Sequence, residues 1–304
     1  MPLRSLLFAP ATSSRHAQKA LTGAADGVIL DLEDAIAIAE KPQARLAARK
    51  ALDGLAGESS SAARPRVFVR VNGLTTPFAY DDLRAIVGPG LDGVVLPKTE
   101  SAAQLATVDW LLTQLERAAG LAAGAIEVMP IIETAAGVAR MAEIAATVRE
   151  SSRVRRLNFG AGDFSLDTNM TWVVGHEGLL WARAQLVIAS RAAGLEAPLD
   201  TVYAQLHDED GLRVEAEQAR RLGFQGKACI HPRQVEIVNA VFSPSAEEVS
   251  QARAIVEAFA EAEAQGVASL RVGGQFIDYP VAARAQRTLD LAAQVEQRGQ
   301  ALSG

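Results

Sequence analysis

The sequence predicts a (β/α)8 TIM barrel with a C-terminal lid extension of helix and hairpin. Eight short apolar segments of strand composition recur along the chain, and Ala-rich stretches of helical spacing separate them. Polar residues gather just after the apolar segments, where the strands would end. In a parallel barrel those ends converge on one rim, the place where active sites are built.

Taken in order, the strands fall at Arg4 to Phe8, Gly27 to Leu32, Arg66 to Val71, Gly93 to Pro97, Ile126 to Ile132, Arg156 to Phe159, Ala197 to Val202 and Gly226 to Ile230. Helical tracts at Lys41 to Leu55, Ser101 to Ala118, Gly137 to Glu150, Leu179 to Ala193 and Gly211 to Leu222 are long enough to cover the outside of the barrel. Their alanines suit close packing on strands. The stretch from Gly57 to Pro65, with its run of serines, has the composition of a solvated loop. Residues 1–242 make up the barrel domain in this reading, and residues 243–304 the extension. Ser245 with Glu248 forms a capping-box signal for a new helix. Leu270 to Asp278 then reads as strand, turn and strand with Gly273 and Gly274 at the tip, and a last amphipathic helix follows Pro280. Such a tail is placed to fold over a barrel mouth or onto a neighbouring subunit.

Composition narrows the function. The chain has 304 residues, 49% of them hydrophobic, enough for one large core. A formal charge of -6 removes the electrostatic footing for nucleic acid, because phosphates require clustered Lys and Arg. No apolar run reaches the roughly 18 residues of a membrane span, and no signal-peptide core precedes Arg15 and His16. The single cysteine, Cys229, excludes an internal disulfide framework and fits a reducing compartment. A cytoplasmic protein acting on a small molecule is the expectation.

Polar residues then mark the rim. Asp31, Glu33 and Asp34 follow the second strand, Arg70 and Asn72 the third, Lys98 the fourth, Glu133 the fifth, Asp163 the sixth and His231 the eighth. Glu133 and Asp163, on adjacent strands, offer a hard oxygen site without nearby His or Cys. This suits Mg²⁺, with Mn²⁺ as the alternative, completed by water and substrate oxygens. The competing reading makes each acid a helix cap. Lys98 either binds a phosphate or neutralises the acidic rim, and Cys229 is an inert core thiol.

The motifs Arg4-Ser-Leu-Leu-Phe-Ala-Pro10, Leu30-Asp-Leu-Glu-Asp-Ala35, Arg70-Val-Asn72, Leu96-Pro-Lys98, Ile131-Ile-Glu-Thr134, Phe159-Gly-Ala-Gly-Asp163 and Gly226-Lys-Ala-Cys-Ile-His-Pro232 run in order along nearly the whole chain. Together they resemble the citrate lyase beta subunit and malyl-CoA lyase group of the HpcH/HpaI aldolase superfamily. The resemblance implies a barrel, a divalent metal, a CoA thioester substrate with a 2-oxoacid, and a homotrimeric or homohexameric assembly.

It also implies roles. Glu133 and Asp163 would hold Mg²⁺, Gly162 would lend a backbone N–H to the oxoacid carboxylate, and Arg70 would hold substrate and stabilise a thioester enolate. Arg70 could equally pair with Glu33 or Asp34 beneath the site, and both roles are compatible. Phe8 and Lys19 match positions that touch CoA, and Ile230 with His231 lies where the substrate is approached. Ser13 stands where the family often has an arginine, with Arg15 as the candidate substitute. Phe276-Ile-Asp278-Tyr-Pro280 resembles a lid motif whose Asp reaches the pocket of an adjacent protomer. Asp278 is therefore the proton-transfer candidate, against the alternative that it caps the final helix.

The implied activity is reversible cleavage of a 3-hydroxyacyl-CoA, of malyl-, citramalyl- or citryl-CoA type, to acetyl-CoA and a 2-oxoacid. The alternatives are a thioesterase on malyl-CoA-type substrates, a metal-dependent aldolase on free 2-oxoacids, and a subunit of a citrate lyase complex.

Overall fold

The computed structural model describes residues 2–56, 64–147, 153–172 and 177–303. Eight parallel strands close into a barrel in simple sequence order. They are β1 (Ser5–Pro10), β2 (Gly27–Asp31), β3 (Arg66–Arg70), β4 (Gly93–Leu96), β5 (Glu127–Ile132), β6 (Asn158–Phe159), β7 (Leu199–Asp200) and β8 (Gly226–Cys229). Pairing of Ser5 with Lys227 joins β1 to β8 and seals the ring. The last strands are shorter than their composition suggests, since β6 and β7 meet at the single pair Asn158 and Leu199.

The helices are α1 (Ser14–Leu21), α2 (Lys41–Asp53), α3 (Ala79–Ile86), α4 (Ala102–Ala118), α5 (Ala135–Ala139), α6 (Met141–Thr147), α7 (Ala161–Asp167), α8 (Glu177–Ala192), α9 (Glu209–Leu222) and α10 (Pro232–Phe242) around the barrel. The tract expected as one helix from Gly137 is two short ones, interrupted at Arg140, whose backbone leaves the helical region. Most of the serine-rich loop lies outside the described residues.

Strand alternation splits the apolar residues into two cores. Inward-facing Leu6, Ile29, Phe68, Val95, Met129, Ile131 and Leu199 fill the barrel. Their neighbours, among them Val28, Leu30, Val67, Val69 and Val94, pack outward beneath the helices in a much larger cluster. The inner filling stops short of the C-terminal strand ends, and this leaves the mouth to polar side chains.

Beyond the barrel come α11 (Ala246–Ala264), the hairpin β9 (Leu270–Val272) and β10 (Gln275–Ile277), and α12 (Tyr279–Ser303). Both halves of the capping box at Ser245 and Glu248 form. Gly273 and Gly274 take the positive φ values, 56° and 83°, that a two-residue hairpin turn demands. Near its end α12 is tied to the barrel by Arg298, almost fully buried, which donates to the Ala25 carbonyl and sits 2.7 Å from Asp26. Asp26 also takes both forks of Arg4. It immediately precedes β2, so this anchor lies at the end of the barrel opposite the mouth.

Candidate active site

At the C-terminal strand ends lies a cavity of about 140 Å³ lined by Phe8, Arg70, Ile131, Glu133, Asn158, Gly160, Gly162, Asp163, Trp172 and Thr201, among others. It brings together residues far apart in sequence because the strands that carry them converge.

Glu133 extends from the end of β5. The helix that follows is capped by Thr134, whose hydroxyl accepts from the Gly137 N–H, so Glu133 does not serve as its cap. Asp163 lies in the first turn of α7, whose N-cap position is Gly160 and carries no side-chain cap. The capping alternative therefore fails for Glu133 and does not describe Asp163. Burial, then the negative charges of Glu33 and Asp163, push the Glu133 carboxyl up to about 8. Such crowding of acid oxygens is relieved by a cation. Room is made for the carboxylate itself. A Cβ at Gly160 would stand 2.4 Å from Glu133 Oε2, so only glycine lets this carboxylate lie where it does. The donor set fits a hard divalent ion held by two carboxylates with water and substrate completing the shell. Among the described residues no cluster of three or more His, Cys, Asp or Glu side chains forms a metal cage unaided.

Arg70, at the end of β3, is pinned by Asp31 through two 2.7 Å hydrogen bonds. Its other nitrogen lies 3.0 Å from Glu33 Oε2, a pairing of charge without hydrogen-bond alignment that leaves this buried oxygen with no hydrogen-bond partner. The guanidinium also lies over the Phe8 ring, 4.9 Å from its centroid. Burial works to raise the Asp31 carboxyl, but the Arg70 hydrogen bonds and charge win and hold it below the ordinary range. Glu33 goes the other way, because burial outweighs Arg70 and Lys98. Arg70 is thus a fixed fork of positive charge, oriented before any ligand arrives.

Lys98 neutralises the acidic rim. Its ammonium lies 2.6 Å from Glu33, 3.6 Å from Asp163 and 3.7 Å from Asp34. Asp34 therefore belongs to Lys98, and Arg70 takes Asp31 and Glu33.

Several expected contacts lie away from this cavity. Lys19 is exposed in the last turn of α1, and Arg15 is exposed on the same helix. Ile230 is 39% exposed at the end of β8. His231 caps α10, its Nδ1 accepting from the Arg233 N–H. Asp278 accepts from the Val281 N–H at the start of α12 and is not among the residues lining the cavity of its own chain. Cys229 is buried, and burial pushes its thiol up to about 12, which removes it as a nucleophile. Sequence reasoning passed over Asn158 and Thr201. The visible signal was a lone polar residue inside an apolar strand for the first, and the residue after a strand for the second.

The closed parallel barrel agrees with a family model described as a carbon–carbon bond lyase of the TIM-barrel fold, which matches residues 185–294. The HpcH/HpaI aldolase/citrate lyase model matches residues 4–232. The chain belongs to this family. It is 37% identical to the citrate lyase subunit beta of Leuconostoc mesenteroides subsp. cremoris, over 95% of this chain and 93% of that protein. It is 36% identical to the L-malyl-CoA/beta-methylmalyl-CoA lyase of Cereibacter sphaeroides, over 91% of this chain and 90% of that one. Among solved structures, CitE from Mycobacterium tuberculosis in complex with magnesium, acetoacetate and coenzyme A superposes with a TM-score of 0.75 at 31% identity, covering 96% of this chain and 98% of that one. Among the described residues no helix is long and apolar enough to cross a membrane.

Proposed function

We propose that this enzyme cleaves a 3-hydroxyacyl-CoA of the malyl-, citramalyl- or citryl-CoA type to acetyl-CoA and a 2-oxoacid, and runs the reverse condensation in the same site. The observation that carries this reading is the meeting of Glu133, Asp163 and the braced Arg70 in one small cavity at the barrel mouth.

Glu133 and Asp163 would hold Mg²⁺, which when bound supplies Lewis acidity toward the oxygens of the oxoacid portion. Gly162, in the same wall, presents backbone to the oxoacid carboxylate. As the substrate hydroxyl gives up its proton to solvent and its oxygen becomes the carbonyl of the 2-oxoacid, the carbon–carbon bond breaks and Arg70 stabilises the negative charge that collects on the thioester oxygen. Its fork is set beforehand by Asp31, so little reorganisation is needed during reaction. The enolate carbon then takes a proton from Asp278, and in the reverse direction Asp278 removes a proton from acetyl-CoA. Because Asp278 lies outside its own chain's cavity, it acts in this proposal from the extension (residues 243–304) of a neighbouring subunit in a trimer or hexamer. Phe8, Lys19, Ile230 and His231 would line the approach of the CoA portion.

The experiment is to incubate the purified protein with malyl-, citramalyl- and citryl-CoA in the presence of Mg²⁺ and to read products by mass. Acetyl-CoA plus a 2-oxoacid is the expected result. Free CoA plus the intact hydroxyacid would instead establish a thioesterase.

A further inference from the structure

The two acids proposed to hold the metal rest on unequal foundations. Glu133 follows β5, a strand of six residues paired with β4 over the four positions from Glu127 to Pro130. Asp163 sits on α7, which springs from β6, a strand of two residues that meets β7 at the single pair Asn158 and Leu199. So short a ladder holds the root of a helix weakly, because few backbone hydrogen bonds oppose its movement. Two side chains make up the difference. At the first residue of α7 the Ala161 N–H donates to the Thr201 hydroxyl at 2.9 Å, so a buried residue just beyond β7 holds the start of the helix, where the N-cap Gly160 offers no side chain. At the last residue of α7, Asp167 accepts at 2.7 Å from the N–H of Ala135, two residues after Glu133. The carbonyl end of a helix is its negative pole, so Asp167 is disfavoured by its own helix and matched to the opening turn of α5.

We propose that Thr201 and Asp167 are positioning residues that strap α7 at its two ends and so set Asp163 against Glu133 for a divalent cation. Asp163 and Asp167 stand one turn apart on α7, and the Asp167 strap lands on the segment that carries Glu133. A short path therefore joins the two acids outside the barrel ladder. Thr201 fixes the other end of the helix from the opposite side, through β7. Both acids must be in place at once to share a cation, so the straps act on metal affinity, as supports of ligating groups do. A reporter of the helix position is built in. The Trp172 ring lies 3.3 Å from where a Cβ on Gly162 would stand, so a shift of α7 changes the surroundings of this indole. The inference rests on the metal site of the lyase reading above and deepens it.

The test is calorimetric titration with Mg²⁺ of the wild type, Thr201→Val, Thr201→Ser, Asp167→Ala and Asp167→Asn. Thr201→Val keeps the shape and deletes the acceptor, and should lose about 10- to 100-fold in affinity, whereas Thr201→Ser restores the strap and the binding. Asp167→Ala should lose about tenfold or more, and Asp167→Asn, which keeps an acceptor oxygen without the charge, should bind as the wild type does. Ser5→Ala is the control for general destabilisation. Ser5 also accepts a backbone N–H, that of Asp26, but at the far end of the barrel, so its loss should lower the thermal midpoint and leave Mg²⁺ affinity unchanged. In metal-free protein carrying Trp110→Phe and Trp181→Phe, Trp172 emission should shift in Thr201→Val and return in Thr201→Ser. Wild-type affinity in Thr201→Val, or an equal loss in Ser5→Ala, would overturn the strap at Thr201. A loss in Asp167→Asn as large as that in Asp167→Ala would trace the effect to charge and overturn the strap at Asp167. Asp167 is exposed, so its variants fold and decide the matter even where Thr201→Val does not. Each of these results leaves the lyase reading intact, and failure of the wild type to bind Mg²⁺ would overturn both.

Discussion

The backbone N–H of Lys98 donates to Glu133 Oε1 at 2.7 Å from a left-handed backbone, with φ at +48°. For a residue with a Cβ that conformation costs on the order of 1–2 kcal/mol. The compensation lies in the site, where the same residue orients the Glu133 carboxylate, the proposed metal ligand, through its main chain and balances Glu33, Asp34 and Asp163 through its ammonium.

Lys98→Met keeps the main-chain hydrogen bond and deletes the charge. Removing a cation this close to Asp163 should tighten Mg²⁺ binding on the order of tenfold by Coulomb's law at intermediate dielectric, while the metal-free protein melts at a lower temperature because its acids repel one another. Calorimetry and thermal melts read the two effects separately. Weaker metal binding would mean that the ammonium holds the ligands in place, and that charge balance is secondary.

Gly160→Ala changes no ligand and no charge, yet its new Cβ collides with Glu133 Oε2 and crowds the Glu133 Cβ and Ile131. Displacing a ligand through its support should lower metal affinity by about 10- to 100-fold. A Mg²⁺ titration that matches the wild type would show that Glu133 is not held where the geometry puts it.

Metal binding should depend on pH with a known sign. In the metal-free folded chain Glu133 keeps its proton up to about 8, whereas the unfolded chain releases it near the ordinary 4.5. This group's contribution to stability is therefore lost as pH rises from about 4.5 through about 8. Magnesium needs the carboxylate, so its affinity should rise by up to about tenfold per pH unit below pH 8, with a proton released on binding. Titrations in two buffers of different ionisation enthalpy count that proton. In Glu133→Gln the pH slope and the high-affinity binding should both vanish.

Arg70→Lys retains a positive charge but cannot grip Asp31 with two parallel bonds. Loss of the braced fork should reduce kcat by about 10²- to 10³-fold, the cost of removing one preorganised oxyanion donor. Metal affinity should change little, and a rate within threefold of the wild type would show that charge alone suffices.

Asp278→Asn should bind CoA thioester normally and lose turnover by at least about 10²-fold, as expected when a positioned proton-transfer group is removed. Mixing inactive Asp278→Asn with inactive Arg70→Lys gives a sharper reading. If the extension serves a neighbouring pocket, some sites in the hybrid combine an intact Arg70 with an intact Asp278, and activity returns. No recovery on subunit exchange would place the two residues in service of the same chain.

Much of this protein is local in origin and therefore legible from its residues in order. The strands follow from compact apolar segments, the hairpin turn from Gly273 and Gly274, and the helix after the barrel from Ser245 and Glu248. Closure then dictates that Glu133 and Asp163, each just beyond a strand, share a rim. The tertiary structure decided what depends on distances across the barrel. Arg70 chose Asp31 over Asp34, Lys98 became the rim's counter-cation, Thr134 released Glu133 from capping, and the Asn158 side-chain oxygen was left buried without a hydrogen-bond partner. Pairings of this kind arise from side chains on different strands, and their geometry is set by barrel closure and packing, which no spacing along a single segment encodes.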